Sequence, residues 1–105
     1  MVRLRKAYKI LTVPEYQEWL EAQTLKERVQ IAKRLQSIEL EGYFGDHKYL
    51  TDHIWELKWK NGRRVYYAYI EQINIMLLLG GNKNGQQKDI VKSKRLLKKY
   101  VEPKT

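Results

Sequence analysis

The sequence predicts an α+β fold: a small twisted antiparallel sheet, an N-terminal helical hairpin on one of its faces, and a basic C-terminal helix. Three observations point there. Residues 14–40 carry two helical patterns in succession, residues 54–79 alternate or run apolar as strands do, and residues 87–101 return to helical spacing among many lysines.

Tyr8 to Val13 (YKILTV) is rich in β-formers and reads as a first strand. Pro14 suits the first turn of a helix, where its missing N–H costs nothing, and a helix to about Ala22 would bury Tyr16, Trp19 and Leu20. Thr24 followed three residues later by Glu27 forms a capping box that opens a second helix, from about Leu25 to Leu40. Its apolar stripe sets Leu25, Val29, Ala32 and Leu35 on one side with Ile31 and Ile38 beside them, and Gly42 stops it. Residues 42–52 (GYFGDHKYLTD) mix glycine, charge and aromatics, a loop followed by a short strand around Lys48 to Leu50.

From Ile54 to Lys60 the chain sets Trp55, Leu57 and Trp59 against Ile54, Glu56, Lys58 and Lys60, as a half-buried antiparallel strand does. Asn61-Gly62 turns it back, since both residues tolerate positive φ, and Arg63 to Ile70 is the return strand. Ile73 to Leu79 (INIMLLL) is nearly all apolar and predicts a central strand ended by Gly80-Gly81. After NKNGQ, a helix from about Gln87 to Val101 carries Ile90, Leu97 and Val101 on one stripe, with Lys88, Lys92, Arg95, Lys98 and Lys99 largely elsewhere; Pro103 closes the ordered chain. With the helices on one face of the sheet, the opposite face stays partly polar, lined with Lys, Arg and aromatic residues. Function is expected there.

A chain of 105 residues has room for one compact domain, taken as residues 1–105. Lys and Arg number 21 against 12 Asp and Glu, a formal net charge of +9, so a polyanionic partner is expected: nucleic acid, an acidic protein or an anionic membrane surface. The absence of cysteine removes disulfides, thiolate nucleophiles and Cys-ligated zinc, and fits a reducing cytosol. The longest apolar run, Ile75 to Leu79, is far short of the roughly 18 residues of a spanning helix, and the N-terminus lacks a signal-peptide stretch. A soluble, cytoplasmic protein with no membrane partner is therefore expected. GGNKNG lacks the spacing of a phosphate-binding loop, no His pair has ligand spacing and no Ser-His-Asp set stands out, so neither a cofactor nor a metal is expected.

The hairpin WELKWKNGRRVYYAY sets Lys58 and Lys60 across from Arg63, Arg64 and a cluster of tyrosines that includes Tyr66. Cations for phosphates beside flat rings for bases suit RNA, with Lys48 and Lys88 as further contacts. RNA cleavage needs no metal, because the substrate brings its own nucleophile in the 2′-hydroxyl. The protein must orient it, stabilise charge and move protons. The candidates for that work are His47, Lys48, Glu56, Lys58, Arg64, Lys83 and Asp89. Each also has a structural reading. The cations can be a solvated strand face, His47 and His53 turn histidines, Glu56 the ion-pair partner of a cross-strand arginine such as Arg64, and Asp89 an acid favoured by the dipole of the last helix.

GDHKYL, then WELKWKNGRRVYYAY, then INIMLLLGGNKNGQQKDI resembles, in order and spacing, the RelE/ParE toxin superfamily, and more narrowly its HigB-like addiction module killer branch. The resemblance runs from about Trp19 to Leu97. It implies a RelE-like fold and the role of toxin in a type II toxin–antitoxin system, commonly a metal-independent, ribosome-dependent mRNA endonuclease that inhibits translation and growth. It also implies the ribosome and mRNA as partners, together with a cognate antitoxin, often a helix-turn-helix protein from the adjacent gene. By position, Lys58 matches a basic residue of the active face and Arg64 the arginine of the following strand. Lys83 falls near the basic residue after the last strand, with Lys48 and His47 as a second set. Two positions depart from the pattern: Glu56 stands where RelE-type toxins carry a basic residue, and Asp89 is the nearest match to a C-terminal tyrosine. ParE-type relatives keep the fold but inhibit DNA gyrase, so fold alone does not decide between nuclease and protein inhibitor.

Overall fold

The computed structural model describes residues 7–71 and 74–101. Ile73 and Pro103, at which the sequence places a strand start and the end of the ordered chain, lie outside the described residues. The elements run β1 (Lys9–Thr12), α1 (Pro14–Glu21), α2 (Leu25–Glu41), β2 (His47–Thr51), β3 (Ile54–Lys58), β4 (Arg63–Ile70), β5 (Asn74–Asn82), a 3₁₀ turn at Lys83–Gly85 and α3 (Gln86–Tyr100). The sheet order is β1-β5-β4-β3-β2. The α+β class holds, with one refinement. Strands β2 to β5 are antiparallel neighbours, whereas β1 lies parallel to β5, Lys9 beside Asn74 through Thr12 beside Leu77, so the sheet is mixed.

Local chemistry accounts for most boundaries. Pro14 opens α1, and the Thr24/Glu27 capping box of α2 is formed in both directions at 3.1 Å, backbone N–H to side-chain oxygen. Gly42 closes α2 in the left-handed region at φ 70°, letting the Gly42 and Tyr43 N–H groups donate back to Ile38 and Ser37 carbonyls.

The two hairpins differ from expectation in an instructive way. The two-residue turn with positive φ at both positions is Asp52-His53, at 45° and 69°, between β2 and β3. At the Asn61-Gly62 turn Gly62 alone has positive φ, 98°, and Trp59 closes the loop by donating to Arg63 O at 3.0 Å while accepting from Gly62 N–H at 3.1 Å. This is a three-residue loop with glycine in the left-handed position, so β3 ends at Lys58 and Lys60 sits in the loop. The apolar run of β5 has a cause of its own: Tyr66 pairs with Leu79 but Tyr67 with Leu77, so Leu78 is an extra, bulged residue and all three leucines are buried.

β5 also continues through Gly80 and Gly81 instead of ending there. Successive strand residues point to opposite faces. A Cβ on Gly80 would meet the Trp19 ring at 2.1 Å and one on Gly81 would meet Asp89 Oδ2 at 2.1 Å, so α1 and α3 pack on opposite faces of β5. The next strand agrees: Arg63 reaches Glu27 and Gln30 of α2, while Arg64 lies with Glu56 near Gln86 of α3. The face expected to be open is thus crossed by α3, which buries Ser93 and Leu96 and reaches from Gly81 to the β2–β3 turn, where Lys94 pairs with Asp52 at 3.1 Å. An amphipathic stripe specifies that a helix is buried on one side, not which sheet face receives it. The stripe of α2 is likewise turned from expectation: Ile31 and Ile38 are buried, but Leu25 is 71% and Val29 47% exposed. Among the described residues no helix is long and apolar enough to cross a membrane.

Candidate functional site

Three strands bring the central residues together on the α3 face. Lys58, Arg64 and Gly81 are paired across β3, β4 and β5, and two residues along, on the same face, the rung holds Lys48, Glu56, Tyr66 and Leu79. Paired residues project to one side, so three cations, a carboxylate and a phenol occupy one patch of sheet. Gly81 leaves space that Asp89, in the first turn of α3, fills with its carboxylate.

Glu56 is 1% exposed. Its Oε2 accepts a hydrogen bond from Gln86 Nε2 at 2.8 Å and lies 3.8 Å from Arg64 Nε, an ion-pair distance too long for a hydrogen bond. Arg64 spends Nη1 on the carbonyls of Arg63 and Trp59, at 3.0 and 3.4 Å. Glu56 Oε1, Arg64 Nε and the Tyr66 hydroxyl have no hydrogen-bond partner, and they are three of the five such buried side-chain polar atoms among the described residues. Buried polar groups are otherwise nearly all satisfied, so their concentration on two rungs of one face marks a place under chemical constraint. Burial raises the Tyr66 hydroxyl above its ordinary value, helped by the charges of Asp89 and Glu56. Burial likewise raises Asp89, with Lys92 and Lys88 opposing.

Around this patch the cations are more open. Lys48 and Lys88 are exposed, and Lys83 is held by its N–H on Gly62 O at 2.8 Å, its side chain running over Gly62. Lys60, in the hairpin loop, is exposed as well.

Two expected residues lie elsewhere. Arg63 is 5% exposed on the α2 face, bonded to Gln30 and Glu27 and 5.4 Å from the Trp59 ring. His47 also faces away from Glu56: it pairs with Leu57, its Nδ1 lies 3.0 Å from the Tyr67 hydroxyl, and it stacks between Phe44 and Trp55 at 5.0 and 5.7 Å. Sequence alternation could have separated both from Arg64 and Glu56, because odd and even strand positions point apart.

Two contributors had no sequence signal beyond their type. Gln86 reads as loop polarity, yet it is the hydrogen-bond partner of Glu56. Arg34, which is no part of the apolar stripe read for α2, stacks on Trp59 at 4.3 Å and donates to Lys58 O at 2.9 Å and Phe44 O at 3.2 Å. It ties the end of β3, and so Lys58, to the loop after α2. Burial lowers its guanidinium below the ordinary arginine value, with Asp46 opposing. Among the described residues no three His, Cys, Asp or Glu side chains gather to hold a metal ion.

Comparison with known proteins follows the same lines. Residues 18–99 match the family described as phage derived protein Gp49-like (DUF891). An uncharacterized protein of Haemophilus influenzae is 34% identical over 90 residues, which cover 83% of this chain and 90% of that one. Among solved structures, a chain of the toxin–antitoxin complex RelBE2 from Mycobacterium tuberculosis superposes with a TM-score of 0.61 at 10% identity, covering 72% of this chain and 98% of that one. At that identity the likeness is one of fold.

Proposed function

The chain belongs to the phage-derived Gp49-like (DUF891) family, and from that premise we propose that it is the toxin of a type II toxin–antitoxin pair, in the HigB-like manner, cutting mRNA on the ribosome. The observation that carries this reading is the patch where Glu56 lies 3.8 Å from Arg64, which pairs with Lys58 beneath Asp89, with polar valences left open. The shared fold with a chain of RelBE2 supports it.

In this reading the RNA 2′-oxygen attacks the adjacent phosphorus, the P–O5′ bond breaks, and a 2′,3′-cyclic phosphate and a free 5′-hydroxyl result. Glu56 takes the proton from the 2′-hydroxyl. Asp89, whose partly buried carboxyl holds its proton more tightly than an ordinary aspartate, supplies one to the leaving oxygen. Arg64 and Lys58 stabilise the charge on the phosphoryl oxygens, and Lys48, Lys60, Lys83 and Lys88 draw in the backbone. His47 and Arg63 stand off this centre, one in the aromatic cluster and the other against α2. RNA that reaches Glu56 has to displace Gln86, so the first turn of α3 moves during binding. The chain's net charge of +9 calls for a partner with acidic character, which the antitoxin of the adjacent gene would supply.

The same cover over Glu56 favours a second reading, a ParE-like inhibitor of gyrase or another protein. Primer extension on a defined mRNA in a translating extract separates them. Ribosome-dependent cuts that vanish with Arg64→Ala support the nuclease. Intact mRNA with a folded, growth-arresting protein transfers the reading to a protein target.

A further inference from the structure

Glu56 has a paired neighbour on each side: Lys48 of β2, which is exposed, and Tyr66 of β4, which is 0% exposed. The sequence suggests a Tyr66 ring open to a base. The ring is instead enclosed, so what Tyr66 brings to this face is its hydroxyl. That hydroxyl has no hydrogen-bond partner, and neither has Glu56 Oε1. An unused donor and an unused acceptor thus stand on directly paired residues, whose Cβ atoms lie roughly 4.5–5.5 Å apart in such a ladder. A buried hydroxyl left unbonded is costly, and its retention calls for a reason.

The bonds around Glu56 supply one. The carboxylate is held through Oε2 by Gln86, the first residue of α3 and only half-buried, which RNA has to displace. Arg64 Nε lies 3.8 Å from that same oxygen, and Nη1 ties the guanidinium to the carbonyls of Arg63 and Trp59, so Oε1 is not served from that side. Lys48 is exposed, and an ammonium in water keeps its hydration. The Tyr66 hydroxyl has no water to turn to, and its O–H rotates to suit an acceptor. Asp89 competes for it poorly, because burial favours the protonated carboxyl.

We propose that Tyr66 is a positioning residue for Glu56: when Gln86 withdraws, the Tyr66 hydroxyl turns to Glu56 Oε1 and holds the carboxylate in place toward the 2′-hydroxyl of the RNA. Glu56 then exchanges a partner on the mobile side of the site, the helix end, for one fixed in the sheet. The inference rests on the nuclease reading above for its part in cleavage, whereas the contact itself can be tested without RNA.

The test places Tyr66→Phe and Gln86→Ala, singly and together, in the whole chain and follows chemical denaturation. In the wild type, loss of an unbonded hydroxyl should raise the unfolding equilibrium constant by no more than about threefold, the size of an ordinary surface effect. In the Gln86→Ala background the same change should raise it roughly tenfold or more, the worth of a hydrogen bond to a charged group. Gln86→Ala alone then understates what Glu56 needs, since Tyr66 recovers part of the loss. Equal effects in the two backgrounds, or the larger loss already in the wild type, would overturn the proposal. On mRNA-programmed ribosomes, Tyr66→Phe should slow cutting roughly tenfold or more at saturation with the half-saturating concentration unchanged, a split that lost stability alone does not give. An undiminished rate would overturn the positioning role. A wild-type chain that leaves mRNA intact would instead overturn the nuclease reading, and the stability cycle would still decide the contact.

Discussion

Gln86 Nε2 donates to Glu56 Oε2 at 2.8 Å, joining the first residue of α3 to a carboxylate buried in the middle of β3. No other hydrogen bond of that carboxylate is formed, and its second oxygen is unpartnered. Gln86→Ala should therefore lower stability by about 1–3 kcal/mol, the range for orphaning a buried polar group. Chemical denaturation measures this, and a change well under 0.5 kcal/mol, the usual size of a surface effect, would show that Glu56 does not depend on Gln86.

Gly80 and Trp19 occupy the same space by design, because a Cβ on the glycine would lie 2.1 Å from the ring. Gly80→Ala should cost about 1–3 kcal/mol through overpacking. Combining it with Trp19→Leu should restore part of that loss, giving a favourable coupling in a double-mutant cycle. Strict additivity would mean that the indole is not what excludes the methyl group.

Arg34→Ala removes a cation stacked on Trp59 and donors to the carbonyls of Lys58 and Phe44, and should destabilise by about 2–4 kcal/mol. Arg34→Lys should recover little, since an ammonium cannot stack its plane on an indole while reaching both carbonyls. Thermal unfolding of the two variants makes the comparison.

Asp89 and Glu15 should give opposite pH signatures. Burial raises Asp89, so folding favours its protonated form, and its ionisation removes stability as pH rises through the raised value. Asp89→Asn should gain in Tm relative to the wild type with rising pH, the difference flattening below the ordinary aspartate range. Glu15 is lowered, chiefly by the Tyr100 hydroxyl that donates to it at 2.8 Å. Its contribution is present at neutral pH and is lost as pH falls through the lowered value, so Glu15→Gln should be destabilised at neutral pH and converge with the wild type in acid. Melting curves across pH distinguish the two.

Much of this was legible from residues alone, and the rest was not for definite reasons. Thr24 with Glu27, Gly42 and Pro14 act within a few residues of themselves, so their caps and stops could be read directly. That Lys58 and Arg64 lie on neighbouring strands followed from alternation on either side of a turn, but their pairing did not, since a two-residue turn would set Lys58 opposite Val65. What could not be read was the loop length at Asn61-Gly62, because the same dipeptide serves both two- and three-residue loops. Nor could the face taken by α3 be read, because Gly80 and Gly81 resemble a strand end until Trp19 and Asp89 are seen filling their two sides. Gln86 was invisible for a similar reason: its partner lies thirty residues away in sequence.

The parallel seat of β1 against β5 has a consequence for how the molecule is made. Thr12 has no strand to lie beside until Leu77 has been synthesised, so the chain's first strand waits for its last. While the nascent chain emerges, β2, β3 and β4 can zip by local hairpins, but the far side of the sheet stays open and α3, which covers Glu56, does not yet exist. The rung that holds Glu56 therefore stays uncovered until Gln86 and the rest of α3 have been made, and pairing β1 with β5 closes a long loop at an entropic cost.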